Sequence, residues 1–184
     1  MSEQVLYSEK SEQPIILLGY MGCGKSTVGR LLAKHLALPF IDMDDYLNET
    51  HGCSVSNLFL KNGEISFRKL EKRALNHLLA SAQASVLSLG GGTPCYADNM
   101  HSIIKSTSHT FYLSPSISTI CHRLYSETDQ RPLISHLSSE DKLREFISKH
   151  IFERKQFYEQ ANHHLYIQDE NPQELVDQII KKLG

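Results

Sequence analysis

The sequence has little of what marks membrane, secreted or nucleic-acid-binding proteins. It has no tryptophan, and its four cysteines form no Cys-x-x-Cys pair, which argues against a zinc site or a disulfide framework. No apolar run approaches about 18 residues, so we predict no membrane span. The formal net charge of -2 gives no electrostatic reason to expect a nucleic acid or a membrane as partner. We therefore expect a cytoplasmic protein that acts on small molecules.

The start of the chain is predicted to be a disordered tail. Residues 1–13 are polar and have neither a basic segment nor an apolar segment of the kind found in signal peptides. Residues 14–184 have the length of one domain, without repeats or a long linker. We expect this domain to act as a monomer.

Short apolar runs alternate with helical patterns, which predicts an α/β fold around a parallel sheet. Between the second and third strands lie about forty residues with helical patterns only, and residues 126–140 form a polar segment typical of a mobile loop. The predicted strands are near 15–18, 39–41, 86–89, 109–113 and 164–167. The predicted helices are near 25–36, 44–51, 55–61, 64–82, 96–105, 116–125, 140–161 and 172–183.

The most informative segment is 19–27, which fits G-x-x-x-x-G-K-[ST] at every fixed position. A predicted strand precedes it and a predicted helix follows it, which is the context that this phosphate-binding motif requires. The alternative is a chance glycine turn. In the motif, backbone N–H groups bind phosphate, Lys25 reaches the β- and γ-phosphates, and the hydroxyl of Ser26 holds Mg²⁺. The predicted phosphate-binding residues are Gly22, Cys23, Gly24, Lys25, Ser26 and Thr27.

Two aspartates follow the second predicted strand. Alternation along an extended segment would place Asp42 and Asp44 on the same side, at the carboxyl edge of the sheet. One could help to hold Mg²⁺, and the other could accept a hydrogen bond from a substrate hydroxyl. The alternative is that one of them only caps the next helix. Asp45 is interpreted as a first-turn helix acid.

Three glycines, Gly90, Gly91 and Gly92, follow the third predicted strand. Their backbone N–H groups would be open to a ligand without obstruction by side chains. A flexible strand-to-helix turn is the alternative, although one glycine would suffice for that. Ser88 would face the same region if the strand alternates in register.

Three arginines are candidates for ligand binding, but the sequence pattern alone does not decide between this role and a surface role. Arg68 could be a solvated partner of Glu71, three residues later on a helix, and Arg154 could be a surface charge. Arg131 lies in the polar loop and could reach the γ-phosphate when that loop closes.

Together these segments resemble the shikimate kinase family. The resemblance covers about nine-tenths of the chain, from Ile15 onward, and no single motif carries it. It depends on the order of the phosphate loop, Asp-x-Asp at 42–44, Phe-Arg at 67–68, three glycines at 90–92 and Arg-Pro-Leu at 131–133. It implies a three-layer α/β/α sandwich of the P-loop kinase type, with a five-stranded parallel sheet in the order 2-3-1-4-5. It also implies a substrate-binding helical insert at about 43–82 and a lid at about 126–139.

The resemblance also implies an activity: transfer of the γ-phosphate of ATP to the 3-hydroxyl of shikimate, with Mg²⁺. It assigns the catalytic roles to Asp44, Lys25 and Arg131. It makes Arg68 and Arg154 ligands of the substrate, together with Asp44 and the three glycines, and it makes Ser26 and Asp42 metal ligands. Arg123 would contact the adenine, and the turn 169–172 would border it. The alternatives are another small-metabolite kinase, such as a gluconate kinase, and an inactive nucleotide-binding module.

Overall fold

The computed structural model describes residues 13–81, 83–126, 133–137, 139–168 and 170–184. The predicted tail, apart from residue 13, lies outside these residues. So do the central part of the predicted lid and its Arg131. The extent of the lid and of the single domain therefore stays a prediction.

Five parallel strands form one sheet in the order β2-β3-β1-β4-β5, which confirms the predicted topology. The central strand, β1, is fully buried, as expected for a parallel sheet covered on both faces. The carboxyl ends of β1, β2 and β3 meet at one edge. The strands are β1 Ile15–Leu18, β2 Phe40–Asp42, β3 Val86–Ser88, β4 Thr110–Pro115 and β5 His163–Ile167.

Seven helices cover the sheet in the described part of the chain. They are α1 Lys25–Leu36, α2 Met43–His51, α3 Val55–Leu79, α4 Asn99–Ser106, α5 Ile117–Tyr125, α6 Glu140–Tyr158 and α7 Pro172–Leu183. The start of α7 is a capping box between Asn171 and Glu174, as its sequence indicates. Gly63, with φ of 72°, kinks α3 where two helices were predicted. The predicted insert is thus α2 and α3.

The core lies in two layers on opposite faces of the sheet. Alternation along β1 directs Ile16 and Leu18 into one layer and Ile15 and Leu17 into the other. The first layer packs against α2 to α6, and the second packs against α1 and α7. This is the predicted three-layer α/β/α arrangement.

One predicted boundary is wrong in a way that affects the site. Instead of a helix from 96, a short 3₁₀ turn at Thr93–Cys95 precedes α4, because Tyr96, Ala97 and Asp98 leave the helical region. The helix α2 begins at Met43, directly after the last residue of β2. Within the part of the chain that the structure describes, no helix is both long and apolar enough to cross a membrane.

Candidate active site

A cavity of about 420 Å³ opens at the carboxyl edge of the sheet. It joins the phosphate loop, the two aspartates after β2 and the first two glycines after β3, as the sequence predicts for a ligand site in a parallel sheet. The predicted site residues that line it are Gly22, Cys23, Gly24, Lys25, Ser26, Thr27, Asp42, Asp44, Gly90, Gly91 and Arg123, with Ser88 beside them.

The phosphate loop has the backbone shape that its glycines permit. Gly22 and Gly24 have φ of 74° and 97°, in the left-handed region, and Gly24 is the N-cap of α1. The N-terminus of α1 therefore faces the cavity with free N–H groups. Lys25 is only 8% exposed, and its Nζ donates to the carbonyls of Gly19 at 2.9 Å and Tyr20 at 3.0 Å.

Ser26 and Asp42 form a compact pair of oxygen groups beside the loop. The hydroxyl of Ser26 donates to Oδ2 of Asp42 at 2.6 Å. The other oxygen of Asp42 accepts from the backbone N–H of Asp44 at 3.1 Å and so caps α2. The capping alternative is thus confirmed, and it is compatible with the functional one, because the cap uses only one of the two carboxylate oxygens.

The position of Asp44 has a different origin from the one predicted. The chain is not extended from Asp42 to Asp44, because α2 has already begun, and the first helical turn carries Asp44 into the cavity. Asp45 points elsewhere and pairs with Arg30 at 3.4 Å on the surface.

The carboxyl of Asp44 has a raised pKa. The cavity keeps the residue accessible to solvent, but the surrounding protein still displaces water from the carboxyl. This desolvation, followed by the negative charge of Asp42, raises the pKa of Asp44 to about 6, although Lys25 opposes the shift. Glu71 contributes in the same direction as Asp42.

The three glycines lie so close to neighbouring groups that a side chain at any of them would be crowded. A Cβ at Gly90 would lie 3.1 Å from Oδ1 of Asp44, and one at Gly91 would lie 3.2 Å from the backbone N of Met21. A Cβ at Gly92 would lie 2.9 Å from both terminal nitrogens of Arg68. The glycine segment therefore connects the phosphate loop with the arginine.

Arg68 is held in a buried ion pair, which differs from the solvated pair that the pattern alone favours. Its Nη1 donates to Oε2 of Glu71 at 2.8 Å, and the two side chains are 14% and 3% exposed. Its Nη2 lies 3.7 Å from the exposed Glu64. Neither Arg68 nor Arg154 lines this cavity. Arg68 lies beyond Gly92, next to it.

Glu71 and Thr93 were not predicted as site residues. Glu71 accepts from the hydroxyl of Thr93 at 2.7 Å as well as from Arg68, so both of its oxygens are engaged. A signal was present in the sequence, because the buried residues of α3 at 67, 71, 74, 75 and 78 form one helical stripe in which Glu71 is the only charge. A charge at an apolar position indicates a buried partner.

Arg154 approaches the site from α6. Its Cζ lies 5.6 Å from the centroid of the buried ring of Tyr20, a residue of the phosphate loop. One turn later, the hydroxyl of Tyr158 donates to the carbonyl of Gly91 at 2.5 Å. The segment 154–158 thus contacts both the phosphate loop and the glycine segment.

At the other end of the cavity, Nη1 of Arg123 donates to the carbonyl of Gly22 at 3.1 Å. Glu170 and Pro172 line the cavity there, while residue 169 lies outside the described part of the chain. Stacking of Arg123 on an adenine base stays a prediction.

The oxygen groups suit Mg²⁺. The ion prefers oxygen ligands and usually takes only one or two from the protein, with water and substrate phosphates supplying the rest. The contact between Ser26 and Asp42 offers such a pair beside the phosphate loop. Among the described residues, no group of three or more His, Cys, Asp or Glu side chains could hold a metal alone. The residues therefore fit an ion that arrives with its nucleotide.

Comparisons with known proteins agree with this arrangement. The family model described as shikimate kinase matches residues 21–184. A shikimate kinase of Flavobacterium psychrophilum is 40% identical over 169 residues, which is 92% of this chain and 98% of the relative.

Two solved structures have the same fold over nearly the whole chain. The shikimate kinase of Bacteroides thetaiotaomicron has a TM-score of 0.82 and 33% identity, and the match covers 93% of this chain and 96% of that one. The shikimate kinase of Acinetobacter baumannii in complex with shikimate has a TM-score of 0.85 and 28% identity, with 98% and 96% covered. The family model, the relative and the two folds, together with the cavity, lead to one conclusion: the chain belongs to the shikimate kinase family.

Proposed function

We propose that this protein transfers the γ-phosphate of ATP to the 3-hydroxyl of shikimate, giving ADP and 3-phosphoshikimate. The observation that carries the proposal is the position of Asp44. Its carboxylate lines the same cavity as the phosphate loop, and it lies beside the glycine segment that contacts Arg68. The proposed binding sites for the phosphate donor and for the acceptor hydroxyl therefore adjoin each other. The arginine proposed to bind the acceptor carboxylate lies next to them.

The donor half of the proposed site is the loop 19–27. Its N–H groups and the N-terminus of α1 would bind the β- and γ-phosphates. Lys25 would exchange its bonds with the carbonyls of Gly19 and Tyr20 for the phosphate oxygens. Ser26 and Asp42 would hold Mg²⁺, which neutralises charge on the phosphates when bound. Arg131 would add a positive charge from the lid.

The acceptor half would bind shikimate by its carboxylate and its hydroxyls. Guanidinium groups match carboxylates with paired hydrogen bonds, so we assign the carboxylate to Arg68 and Arg154. The N–H groups of Gly91 and Gly92 would complete this part. Asp44 would accept a hydrogen bond from the 3-hydroxyl and orient its oxygen toward the γ-phosphorus.

The proposed reaction is an in-line displacement. The 3-hydroxyl oxygen forms a bond to the γ-phosphorus, the bond from that phosphorus to the β,γ-bridging oxygen breaks, and the hydroxyl proton passes to Asp44. A carboxyl with a pKa of about 6 is mostly ionised at neutral pH and can therefore accept this proton. A monomer in the cytoplasm stays the expected state of the protein.

A coupled assay of ADP release tests the proposal, with shikimate, quinate and gluconate as parallel acceptors and with Mg²⁺ present. We expect turnover with shikimate far above that with gluconate. Phosphorus NMR of the product should show a phosphate monoester and ADP in equal amounts. ADP release that does not depend on shikimate, or a preference for gluconate, would contradict the proposed acceptor.

A further inference from the structure

Arg68 has hydrogen-bonding capacity that the folded chain leaves unused. Its Nη1 is bonded to Glu71, but Nε is buried and is without a hydrogen-bond partner among the described residues. The nearest acid to Nη2 is the exposed Glu64, at 3.7 Å, which is too far for a good hydrogen bond. Nη2 therefore keeps donor capacity for a carboxylate oxygen, whereas Nε has no access to solvent.

An aromatic ring lies next to this guanidinium. The centroid of the Tyr96 ring is 5.3 Å from Cζ of Arg68, and that of the buried Phe67 is 5.4 Å from it. Both distances allow a cation–π contact. Tyr96 is 38% exposed, so its ring is at the outer side of the arginine. Two rings, Glu71 and the backbone at Gly92 thus surround Arg68.

The segment that carries Tyr96 is fixed to α3, the helix of Arg68. Nζ of Lys72 donates to the carbonyl of Ala97 at 2.7 Å, and the hydroxyl of Thr93 donates to Glu71. The amide of Asn99 donates to the carbonyl of Thr93 at 2.9 Å. These bonds hold the residues before and after Tyr96, so the ring is not on a free loop.

From this arrangement we infer that Tyr96 is a positioning residue for the acceptor carboxylate. Its ring holds the plane of the Arg68 guanidinium so that Nη2 stays directed to the carboxylate. The inference rests on the proposed function, because shikimate supplies that carboxylate. The ring face carries the effect, and the phenolic hydroxyl is not required.

Steady-state kinetics of Tyr96→Leu and Tyr96→Phe test the inference. We expect Tyr96→Leu to raise the KM for shikimate about fivefold to tenfold, the size of a partly buried cation–π contact. The KM for ATP and kcat should change less than twofold. Tyr96→Phe keeps the ring and should remain within twofold of the unsubstituted protein in all three constants. Tyr166→Leu is the matched control, since it removes a 66% exposed tyrosine from β5.

A double-mutant cycle separates positioning from a general loss of structure. Alanine removes the guanidinium that the ring is proposed to hold, so in an Arg68→Ala background the additional change Tyr96→Leu should raise the shikimate KM less than twofold. Equal effects in both backgrounds, or a Tyr96→Phe variant as weak as Tyr96→Leu, would overturn the inference. Failure of the unsubstituted protein to phosphorylate shikimate would overturn the proposed function and this inference with it. Normal turnover together with an unchanged KM in Tyr96→Leu would overturn this inference alone.

Discussion

The two halves of the site are built in opposite ways. The donor half is one continuous segment, 19–27, in which backbone groups do most of the work and glycines set the shape. The acceptor half comes from α2, α3, the glycine segment and α6, and it depends on side chains such as Arg68 that are held by other side chains. A loop whose own backbone groups bind the ligand can be formed by its local sequence alone. The position of an arginine that is held by several other side chains depends on the whole fold.

This difference predicts that the halves can be disturbed separately. Substitutions in the acceptor half should change the KM for shikimate and leave the KM for ATP unchanged, except where the two halves are in contact. The structure shows such contacts where Gly91 lies close to the backbone N of Met21 and where Arg154 lies over the ring of Tyr20.

The largest effect is expected for Asp44→Asn. The amide cannot accept the hydroxyl proton, so kcat should fall by about 10²–10⁴-fold. Nucleotide binding should remain close to normal, because the phosphate loop is intact, and isothermal calorimetry with a non-hydrolysable ATP analogue measures this. Asp45→Asn, a surface change on the same helix turn, is the control. A kcat near normal in Asp44→Asn would remove the residue from the catalytic role.

Arg68→Ala should come next. Removing the arginine removes the proposed carboxylate contact, which typically costs about 2–4 kcal/mol of binding, or a thirtyfold to thousandfold rise in the KM for shikimate. It also leaves Glu71 buried without its ionic partner, so the free energy of unfolding should fall. The KM for ATP should stay the same. Arg73→Ala, on the exposed side of the same helix, should change neither constant. An unchanged shikimate KM in Arg68→Ala would contradict the assignment.

Alanine substitutions at the two neighbouring glycines sharpen the comparison at the boundary. Gly92→Ala places a methyl group 2.9 Å from Arg68 and should raise the shikimate KM about tenfold without changing the KM for ATP. Gly91→Ala places it 3.2 Å from the phosphate loop and should raise both constants by a few fold. Kinetics with each substrate varied in turn distinguish the two. If both variants changed the KM for shikimate and the KM for ATP in the same way, the two halves would not be separable.

The smallest effect concerns the proton on Asp44. A carbon-NMR titration of the nucleotide-free protein should give Asp44 a pKa of about 6, and Asp42→Asn should lower it by removing the neighbouring negative charge. Asparagine can still cap α2. Because the folded chain holds this proton more tightly than the unfolded chain does, ionisation of Asp44 lowers stability as pH rises from about 3.8 to about 6. If Asp42→Asn left the pKa of Asp44 unchanged, the electrostatic coupling between these two carboxyl groups would be contradicted.

The sequence predicts the fold and the donor half well for a physical reason. Strand periodicity, a glycine motif and the cap at Asn171 are local signals, and the order of the strands follows from the family resemblance. The sequence pattern places Asp44 in the site by alternation along an extended segment, but α2 begins at Met43 and its first turn carries Asp44 there instead.

The acceptor half is less accessible from the sequence because its contacts join residues that are far apart in the chain. Glu71 meets Thr93, and Tyr158 meets Gly91, at separations of 22 and 67 residues. Tyr96 follows the glycine segment and lies where a helix was expected, so nothing indicated that its ring reaches Arg68. Only the burial of a lone charge in the stripe of α3 could have been noticed in advance.

The hydrogen bonds of Lys25 have a consequence for the anions that the phosphate loop accepts. Its ammonium group donates to the carbonyls of Gly19 and Tyr20, so a phosphate that draws the lysine away must compensate for both bonds. We therefore expect nucleotide binding to replace hydrogen bonds of Lys25 rather than to add to them. An inorganic anion that is too small to draw the lysine away from both carbonyls should bind weakly to the loop. The loop should therefore bind a polyphosphate in preference to such an anion.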